Sequence, residues 1–143
     1  MSNYVSGYNI EFPNSKLELV LFKDALNHLS RITRILRQQR GNALLIGVGG
    51  CGKQTLTKLS AFISGSKISQ LSTTKDYKLG KFREDLKLAM KPAGSDNKRI
   101  TLLINDNQIT EDIFLEDVNN IFNSGEVPNL WEFDEKEEIK EKV

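Results

Sequence analysis

A short glycine-rich loop contains the residue types in this sequence that are best suited to binding a charged ligand. Residues Gly47–Thr55 read Gly-Val-Gly-Gly-Cys-Gly-Lys-Gln-Thr, after an apolar run and before a helical pattern. Glycines let main-chain N–H groups approach an anion closely, and the start of a helix adds unpaired N–H groups at its positive end. The loop therefore predicts a phosphate site formed by Gly47, Gly49, Gly50, Cys51, Gly52, Lys53, Gln54 and Thr55.

Two phosphate-binding patterns overlap in this loop. The G-x-G-x-x-G pattern of dinucleotide sites is satisfied by its glycines, and Gly47, Gly52 and Lys53 satisfy the G-x-x-x-x-G-K pattern of nucleoside triphosphate sites. Lys53 favours the second pattern, because its ammonium reaches the β- and γ-phosphates. A dinucleotide site also needs an acidic residue after the second strand, where residues 70–74 read Gln-Leu-Ser-Thr-Thr. A glycine turn without a ligand is the remaining alternative.

The residue after Lys53 departs from the triphosphate pattern. A Ser or Thr hydroxyl that binds Mg²⁺ normally stands there, and this chain has Gln54 with Thr55 one place later. Either the Gln54 amide oxygen coordinates the metal weakly or Thr55 is turned toward it. Both residues are candidate metal contacts, and we expect reduced Mg²⁺ affinity.

An apolar run ending in an acidic residue is the second candidate element. Residues Ile100–Asn107 read Ile-Thr-Leu-Leu-Ile-Asn-Asp-Asn and resemble the Walker B pattern of P-loop ATPases. There the aspartate, here Asp106, belongs to the Mg²⁺ shell and the next acidic residue polarises the attacking water. Asn107 stands at that second position, and an amide cannot take a proton at neutral pH. We therefore assign no catalytic residue. The alternative is that Asp106 merely begins a polar loop.

Helical and strand patterns alternate along the chain. Apolar periodicity predicts an amphipathic helix from about Phe22 to Gly41 and a second helix over Lys53–Ser64. A third helix contains Phe82, Leu86, Ala89 and Met90 and is expected to end at Pro92 and Gly94, and a fourth is expected to be capped by Thr110 and to bury Phe114, Leu115, Val118, Ile121 and Phe122. Short apolar runs predict buried strands at 43–48 and 100–105 and a short strand at 67–72. This alternation indicates parallel pairing in an α/β layered domain.

Composition excludes several function classes. The 143 residues are 38% hydrophobic and 27% charged, with a formal net charge of +1. We expect no nucleic-acid partner and no membrane partner, because the chain has no basic excess and no apolar run of the ~20 residues that a membrane helix needs. One cysteine cannot form an internal disulfide, and the first residues lack a secretory pattern. These features predict a soluble intracellular protein.

Three stretches together resemble the AAA+ modules of dynein heavy chains, most closely the fourth module of axonemal forms. The first runs from Leu19 to Gly50, the second is Phe82–Leu86 and the third is Phe114–Leu130. The third stretch, which contains Glu116-Asp117-Val118-Asn119-Asn120 and Ser124-Gly125-Glu126-Val127-Pro128-Asn129-Leu130, is the most diagnostic.

The resemblance implies a fold and a domain organisation. The fold is a P-loop NTPase of the AAA+ type, a three-layer α/β/α large subdomain with a parallel sheet, truncated before the sensor-1 strand and the helical lid. It implies a lead-in segment at 1–16, a partial AAA+ P-loop domain at 17–133 and a charged tail at 134–143. Because the missing sensor strand lies between the phosphate-loop strand and the acidic strand, these two strands lack their shared neighbour.

The resemblance also implies a function. It suggests a regulatory module that binds ATP or ADP with Mg²⁺, with weak or no hydrolysis, in which Val20 and Leu21 contact the adenine. Its partners would be neighbouring AAA+ modules of a ring and, only indirectly, microtubules. Its location would be the cytoplasm and cytoskeleton, in the axoneme of a cilium or flagellum.

Two other interpretations remain open at the level of sequence. The chain is alternatively a truncated, non-catalytic relative that acts as an interaction fragment. It is also compatible with an independent small P-loop enzyme such as a nucleotide kinase. The second is less favoured because no arginine-rich lid segment follows Asp106.

Overall fold

The computed structural model describes residues 2–20, 22–71 and 78–141, apart from the side chain of Ser2. The chain divides into two compact units, Met1–Ser66 and Lys67–Val143, which we describe separately. Helices of the first unit are α1 (Ser2–Glu11), α2 (Lys23–Arg37) and α3 (Lys53–Ser64), with a 3-10 turn at Pro13–Ser15. The second unit contains β1 (Lys67–Gln70), α4 (Leu79–Ser95), β2 (Ile100–Leu103), a 3-10 turn at Asp106–Gln108, α5 (Asp112–Asn123) and α6 (Phe133–Glu141).

Helices α2 and α3 form the core of the first unit, as the apolar periodicity predicts. Leu29 of α2 and Leu59 of α3 are completely buried in one cluster, which also contains Ile32 and Leu56. Helix α3 ends at Gly65, whose φ of 72° is the left-handed conformation in which glycine terminates helices.

The lead-in segment contains a helix that the sequence pattern does not predict. Helix α1 contributes Tyr8 to the buried cluster, where its ring meets the edge of Phe62 with centroids 5.5 Å apart. The Asn9 side chain fixes the segment that follows, because its amide oxygen accepts a hydrogen bond from the Leu17 N–H at 2.7 Å. This helix is held by tertiary packing rather than by a continuous apolar face.

Strands β1 and β2 pair in parallel, which confirms the predicted parallel pairing for these two strands. Their register runs from Lys67 opposite Ile100 to Gln70 opposite Leu103, and α4 lies between them in the chain. Next to the sheet, α4 and α5 bury the stacked rings of Phe82 and Phe114. The second unit is thus a β-α-β arrangement followed by two further helices.

The strand predicted at 43–48 is wrong. These residues form no strand, and Leu44, Ile46 and Val48 are 80%, 89% and 79% exposed. A strand is stable only when a neighbour pairs its main-chain N–H and C=O groups. Within residues 2–20, 22–71 and 78–141, the sheet contains only β1 and β2, so no neighbour is available to this segment.

Helix boundaries correct two further predictions. Helix α4 does not end at Pro92 and Gly94 but continues through both residues to Ser95. Proline removes the hydrogen bond to the carbonyl of Leu88, and this residue is exposed, so water can solvate that carbonyl. Thr110 does not cap α5, because the N-cap residue is Glu111 and makes no side-chain capping bond.

The predicted buried face of α5 is only partly correct. Phe114 is buried and Val118 and Ile121 pack against the same cluster, as expected. Leu115 and Phe122 are half exposed, because the apolar stripe is wider than the surface that α5 meets within this unit.

Within residues 2–20, 22–71 and 78–141, no helix is both long enough and apolar enough to cross a bilayer.

Candidate functional site

The glycine loop has the backbone conformation that its glycines allow. Gly50 has a φ of 75° and Gly52 has a φ of 78°. Residues with a Cβ atom rarely adopt such values. Gly52 is also the N-cap residue of α3. The loop thus turns sharply into the helix, as its residue types predict.

At Gly47 the space for a side chain is tight. A Cβ atom at this position would lie 3.2 Å from the Cys51 sulfur and 3.9 Å from Lys53 Nζ. At Gly49, by contrast, a Cβ atom would meet nothing within 4 Å. The first glycine of the loop therefore packs against two of its later residues.

The Lys53 ammonium group closes the loop. Its Nζ atom donates hydrogen bonds to the carbonyl of Gly47 at 2.6 Å and to the carbonyl of Val48 at 2.8 Å, and lies 3.5 Å from the Cys51 sulfur. An ammonium has three donors, so a phosphate oxygen would have to replace or share one of these partners. The loop therefore places a positive charge where its two ends meet.

The first turn of α3 adds main-chain donors beside this charge. The first helical hydrogen bond is donated by the Leu56 N–H to the carbonyl of Gly52 at 2.8 Å, so the N–H groups of Lys53 and Thr55 precede the helical ladder. No side chain caps this end of the helix. Such N–H groups, together with the helix dipole, favour a bound anion.

The side chains predicted as metal contacts lie in both units. Gln54 is exposed and Thr55 half-buried on α3, whereas Asp106 is exposed in the second unit, where it begins the 3-10 turn after β2. One Asp106 carboxylate oxygen accepts a hydrogen bond from the Asn107 N–H at 3.0 Å. Among the described residues no cluster of three metal-ligating side chains occurs. Each of these side chains offers an oxygen atom of the kind that Mg²⁺ binds, since this ion typically takes one or two carboxylates together with substrate phosphates and waters.

Asn107 lies beside Asp106 and is exposed. Its amide side chain has no basic site at neutral pH, so the turn presents one carboxylate and one amide to solvent.

Gln108 is a residue of this turn that the sequence analysis missed. Its side chain is 1% exposed and donates through Nε2 to the carbonyl of Leu71 at 2.7 Å. Its Oε1 atom accepts the Asn105 N–H at 2.7 Å. Asn105 and Gln108 form a capping box, and the N-x-x-Q spacing is the sequence signal that could have identified them.

The remaining predicted site residues are Val20 and Leu21. Val20 is exposed in the segment before α2, and Leu21 lies outside the described residues. The structure therefore brings together Gly47, Cys51 and Lys53 around the start of α3.

Comparison with known proteins gives a family match over most of the chain. The model of the family described as P-loop containing dynein motor region D4 matches residues 17–143. The chain is 50% identical over 139 residues to dynein axonemal heavy chain 6 of Homo sapiens, covering 97% of this chain and 3% of that protein.

Two other relatives have a similar identity to this chain and a similar coverage. The chain is 49% identical over 135 residues to the dynein-1-beta heavy chain of the flagellar inner arm I1 complex of Chlamydomonas reinhardtii, covering 94% of this chain and 3% of that protein. It is 47% identical over 136 residues to dynein axonemal heavy chain 8 of Mus musculus, covering 95% of this chain and 3% of that protein. The chain thus spans about 3% of the length of the curated relatives that it matches.

Proposed function

The chain belongs to the family of the P-loop containing dynein motor region D4, and from this membership we propose that it is a regulatory AAA+ module that binds ATP or ADP. It acts within a microtubule-based motor and has weak or no hydrolysis of its own. The observation that carries this proposal is the position of Lys53 Nζ, held by the carbonyls of Gly47 and Val48 beside the first turn of α3.

The proposed phosphate site consists of the loop from Gly47 to Thr55. The positive φ of Gly50 and Gly52 supports it, because this conformation turns successive main-chain N–H groups toward one side. The ammonium of Lys53 supplies the charge, and the open space at Gly49 leaves room for a phosphate. Val20 and Leu21 are proposed to contact the adenine, on the strength of the resemblance alone.

Mg²⁺ is the proposed metal, with Asp106, Gln54 and Thr55 as its protein contacts. The metal would neutralise charge on the phosphates when it is bound. The assignment of Asp106 and the loop to one nucleotide rests on the family resemblance. The residue after Asp106 is Asn107, whose amide cannot take a proton from the attacking water. This residue is the reason that we propose weak or no hydrolysis.

The proposed domain organisation follows the family. Residues 17–133 form part of a P-loop domain of the AAA+ type with a three-layer α/β/α architecture. Residues 1–16 lead into it and residues 134–143 form a charged tail. The parallel pairing of β1 with β2 supports this architecture.

The proposed partners are neighbouring AAA+ modules of a dynein ring, with microtubules reached only through the whole heavy chain. The names of the relatives support a place in the cytoskeleton of a cilium or flagellum.

A titration of the full chain with a fluorescent ATP analogue tests nucleotide binding. We expect Lys53→Ala to weaken binding at least tenfold, since a hydrogen bond to a charged group contributes about 1.5–3 kcal/mol. Lys58→Ala is the matched control, because Lys58 lies on the same helix beyond the first turn and should bind as the unmodified chain does. Equal affinities of the Lys53→Ala variant and the unmodified chain would contradict the proposed site.

A further inference from the structure

The side chain of Gln108 joins the turn that carries Asp106 to the end of the neighbouring strand. The bonds at its two ends, to Leu71 and to Asn105, are both 2.7 Å long. Leu71 follows β1 directly, and Asn105 lies two residues after the end of β2. Gln108 therefore joins the two strands just beyond their last paired residues.

The Gln108 amide continues the parallel sheet at the point where its main-chain ladder stops. The last register pair is Gln70 with Leu103. Beyond it, the Asn105 N–H donates to the Gln108 side-chain carbonyl, and the Gln108 side-chain NH₂ donates to the Leu71 carbonyl. A primary amide has the same donor and acceptor as a peptide group, so it occupies the position of an additional peptide. The chain can then turn away from β1 at Asp106 without leaving these two main-chain groups unpaired.

The buried position of Gln108 makes this arrangement rigid. The side chain is 1% exposed, and its amide oxygen and nitrogen each have a main-chain partner. In an interior of low dielectric constant such hydrogen bonds are strong, and losing one partner leaves a buried polar group unsatisfied. The next two residues back in the chain are Asn107 and Asp106, so their main chain is held from both sides.

We propose that Gln108 is a positioning residue for the Asp106 carboxylate. By fixing the main chain of Asn105–Asn107 to the end of β1, it keeps Asp106 in one orientation and so determines the Mg²⁺-dependent part of nucleotide affinity. The inference rests on the proposed function, in which Asp106 belongs to the Mg²⁺ shell. Gln108 does not replace the acidic residue that is absent at position 107, because its amide is hydrogen-bonded to main-chain groups.

The same titration, run with excess Mg²⁺ and again with EDTA, tests this assignment on the full chain. The measured quantity is the dissociation constant in EDTA divided by the dissociation constant in Mg²⁺. This ratio isolates the contribution of the metal to nucleotide affinity. We expect Gln108→Leu to reduce this ratio about tenfold or more, as the loss of outer-shell partners does at metal sites. Its affinity in EDTA should stay within about twofold of the unmodified chain, since Gly47–Thr55 is unchanged.

Gln70→Leu is the matched control, because Gln70 is an exposed glutamine at the end of β1. Gln70→Leu should keep the ratio of the unmodified chain. Asp106→Asn should reduce the ratio, as Gln108→Leu does. A folded Gln108→Leu variant with an unchanged ratio overturns the positioning role while the proposed function stands. An unmodified chain that binds no nucleotide overturns the proposed function and this inference with it.

Gln108→Glu keeps the test decisive if the leucine variant does not fold. A glutamate keeps the length of the side chain and an acceptor for the Asn105 N–H, but it lacks the NH₂ group that donates to the Leu71 carbonyl. At the same pH as the other titrations, we expect its ratio to fall as it does in Gln108→Leu. A folded Gln108→Glu variant with the ratio of the unmodified chain contradicts the proposal.

Discussion

The ring of Phe82 stacks on the ring of Phe114, with centroids 4.4 Å apart and ring planes 2° from parallel. Both residues are completely buried, and they connect α4 to α5. Beside them, Arg83 binds Asp117 through two parallel hydrogen bonds of 2.9 and 3.1 Å. Two of the three stretches that carry the family resemblance, Phe82–Leu86 and Phe114–Leu130, are therefore joined by direct contacts.

The Arg83–Asp117 pair predicts an asymmetry between two alanine variants. The Asp117 side chain is 3% exposed and that of Arg83 is 29% exposed. Arg83→Ala leaves a buried carboxylate without its partner, and we expect it to lower the free energy of unfolding by about 3 kcal/mol. Asp117→Ala leaves a guanidinium that water can reach, so its effect should be smaller, about 1–2 kcal/mol. Urea denaturation of both variants measures the difference.

Lys140→Ala is the control for this comparison. Lys140 pairs with Glu137 on the exposed side of α6, and such surface pairs contribute about 0–1 kcal/mol. A larger loss of stability for Asp117→Ala than for Arg83→Ala would contradict the assignment of Asp117 as the buried partner.

The space around Gly47 predicts the effect of an added side chain in the glycine loop. A Cβ atom at Gly47 would lie 3.2 Å from the Cys51 sulfur, whereas at Gly80, on α4, it would meet nothing within 4 Å. We expect Gly47→Ala to weaken binding of the ATP analogue about fivefold, because overpacking commonly shifts the backbone at a cost of about 1 kcal/mol or more. Gly80→Ala is the control, because it lies outside the proposed site, and it should bind within about twofold of the unmodified chain.

Cys51→Ala combined with Gly47→Ala identifies the contact responsible. Removing the sulfur should restore most of the lost affinity in the double variant, since the two residues act on one contact. If the double variant binds as weakly as Gly47→Ala alone, the sulfur is not the obstacle.

Residues with special backbone or charge requirements could be predicted from the sequence, and long-range contacts could not. Gly50, Gly52 and Lys53 are recognisable because few residue types fit their positions. By contrast, Arg83 and Asp117 are 34 residues apart, and Gln108 and Leu71 are 37 residues apart. Helical and strand periodicity describe which face of an element is apolar, but not which polar side chain on one element meets another.

The local sequence pattern also fails to predict helices and strands that depend on a neighbouring element. Residues 43–48 have the apolar run of a buried strand, yet pairing requires a second strand that the described sheet does not supply. Helix α1 shows the opposite case, because it lacks a continuous apolar face and is held by Tyr8 packing on Phe62. Propensity and periodicity are weak where tertiary contacts decide the conformation.

Helix α6 is joined to α4 by the ion pairs Lys87–Glu135 and Lys91–Glu138, and the first pair predicts a pH dependence. Lys87 Nζ lies 2.5 Å from a Glu135 carboxylate oxygen and 5.7 Å from the centroid of the Trp131 ring. The hydrogen bond from Lys87, followed by that from the Glu132 N–H, lowers the pKa of Glu135. Because the folded pKa lies below the unfolded one, the pair stabilises attachment above the usual glutamate pKa and is lost as the pH falls through the lowered value.

Fluorescence of Trp131, the one tryptophan of the sequence, reports this attachment. We expect its emission to shift to longer wavelength on acidification, with a midpoint below the ordinary glutamate pKa of about 4.3. Glu135→Gln should reduce this transition to the part that the Lys91–Glu138 pair contributes, whereas Glu137→Gln, which alters the exposed pair with Lys140, should keep all of it. An identical acid transition in the Glu135→Gln variant would show that Lys87 and Glu135 do not hold the helix.

Because Asn107 is an amide, we predict that an acidic residue at this position increases the rate of ATP hydrolysis. Asn107 is exposed next to Asp106, so a longer acidic side chain there meets no buried surface. A positioned general base typically contributes about 10²–10⁴-fold to a rate, and we expect Asn107→Glu to raise single-turnover ATP hydrolysis by about 10²-fold, the lower end of this range. Asn119→Glu adds the same charge on the exposed side of α5 and should leave the rate unchanged. A rate that is equally low in both variants, with nucleotide binding intact, would mean that Asn107 is not what limits hydrolysis in this chain.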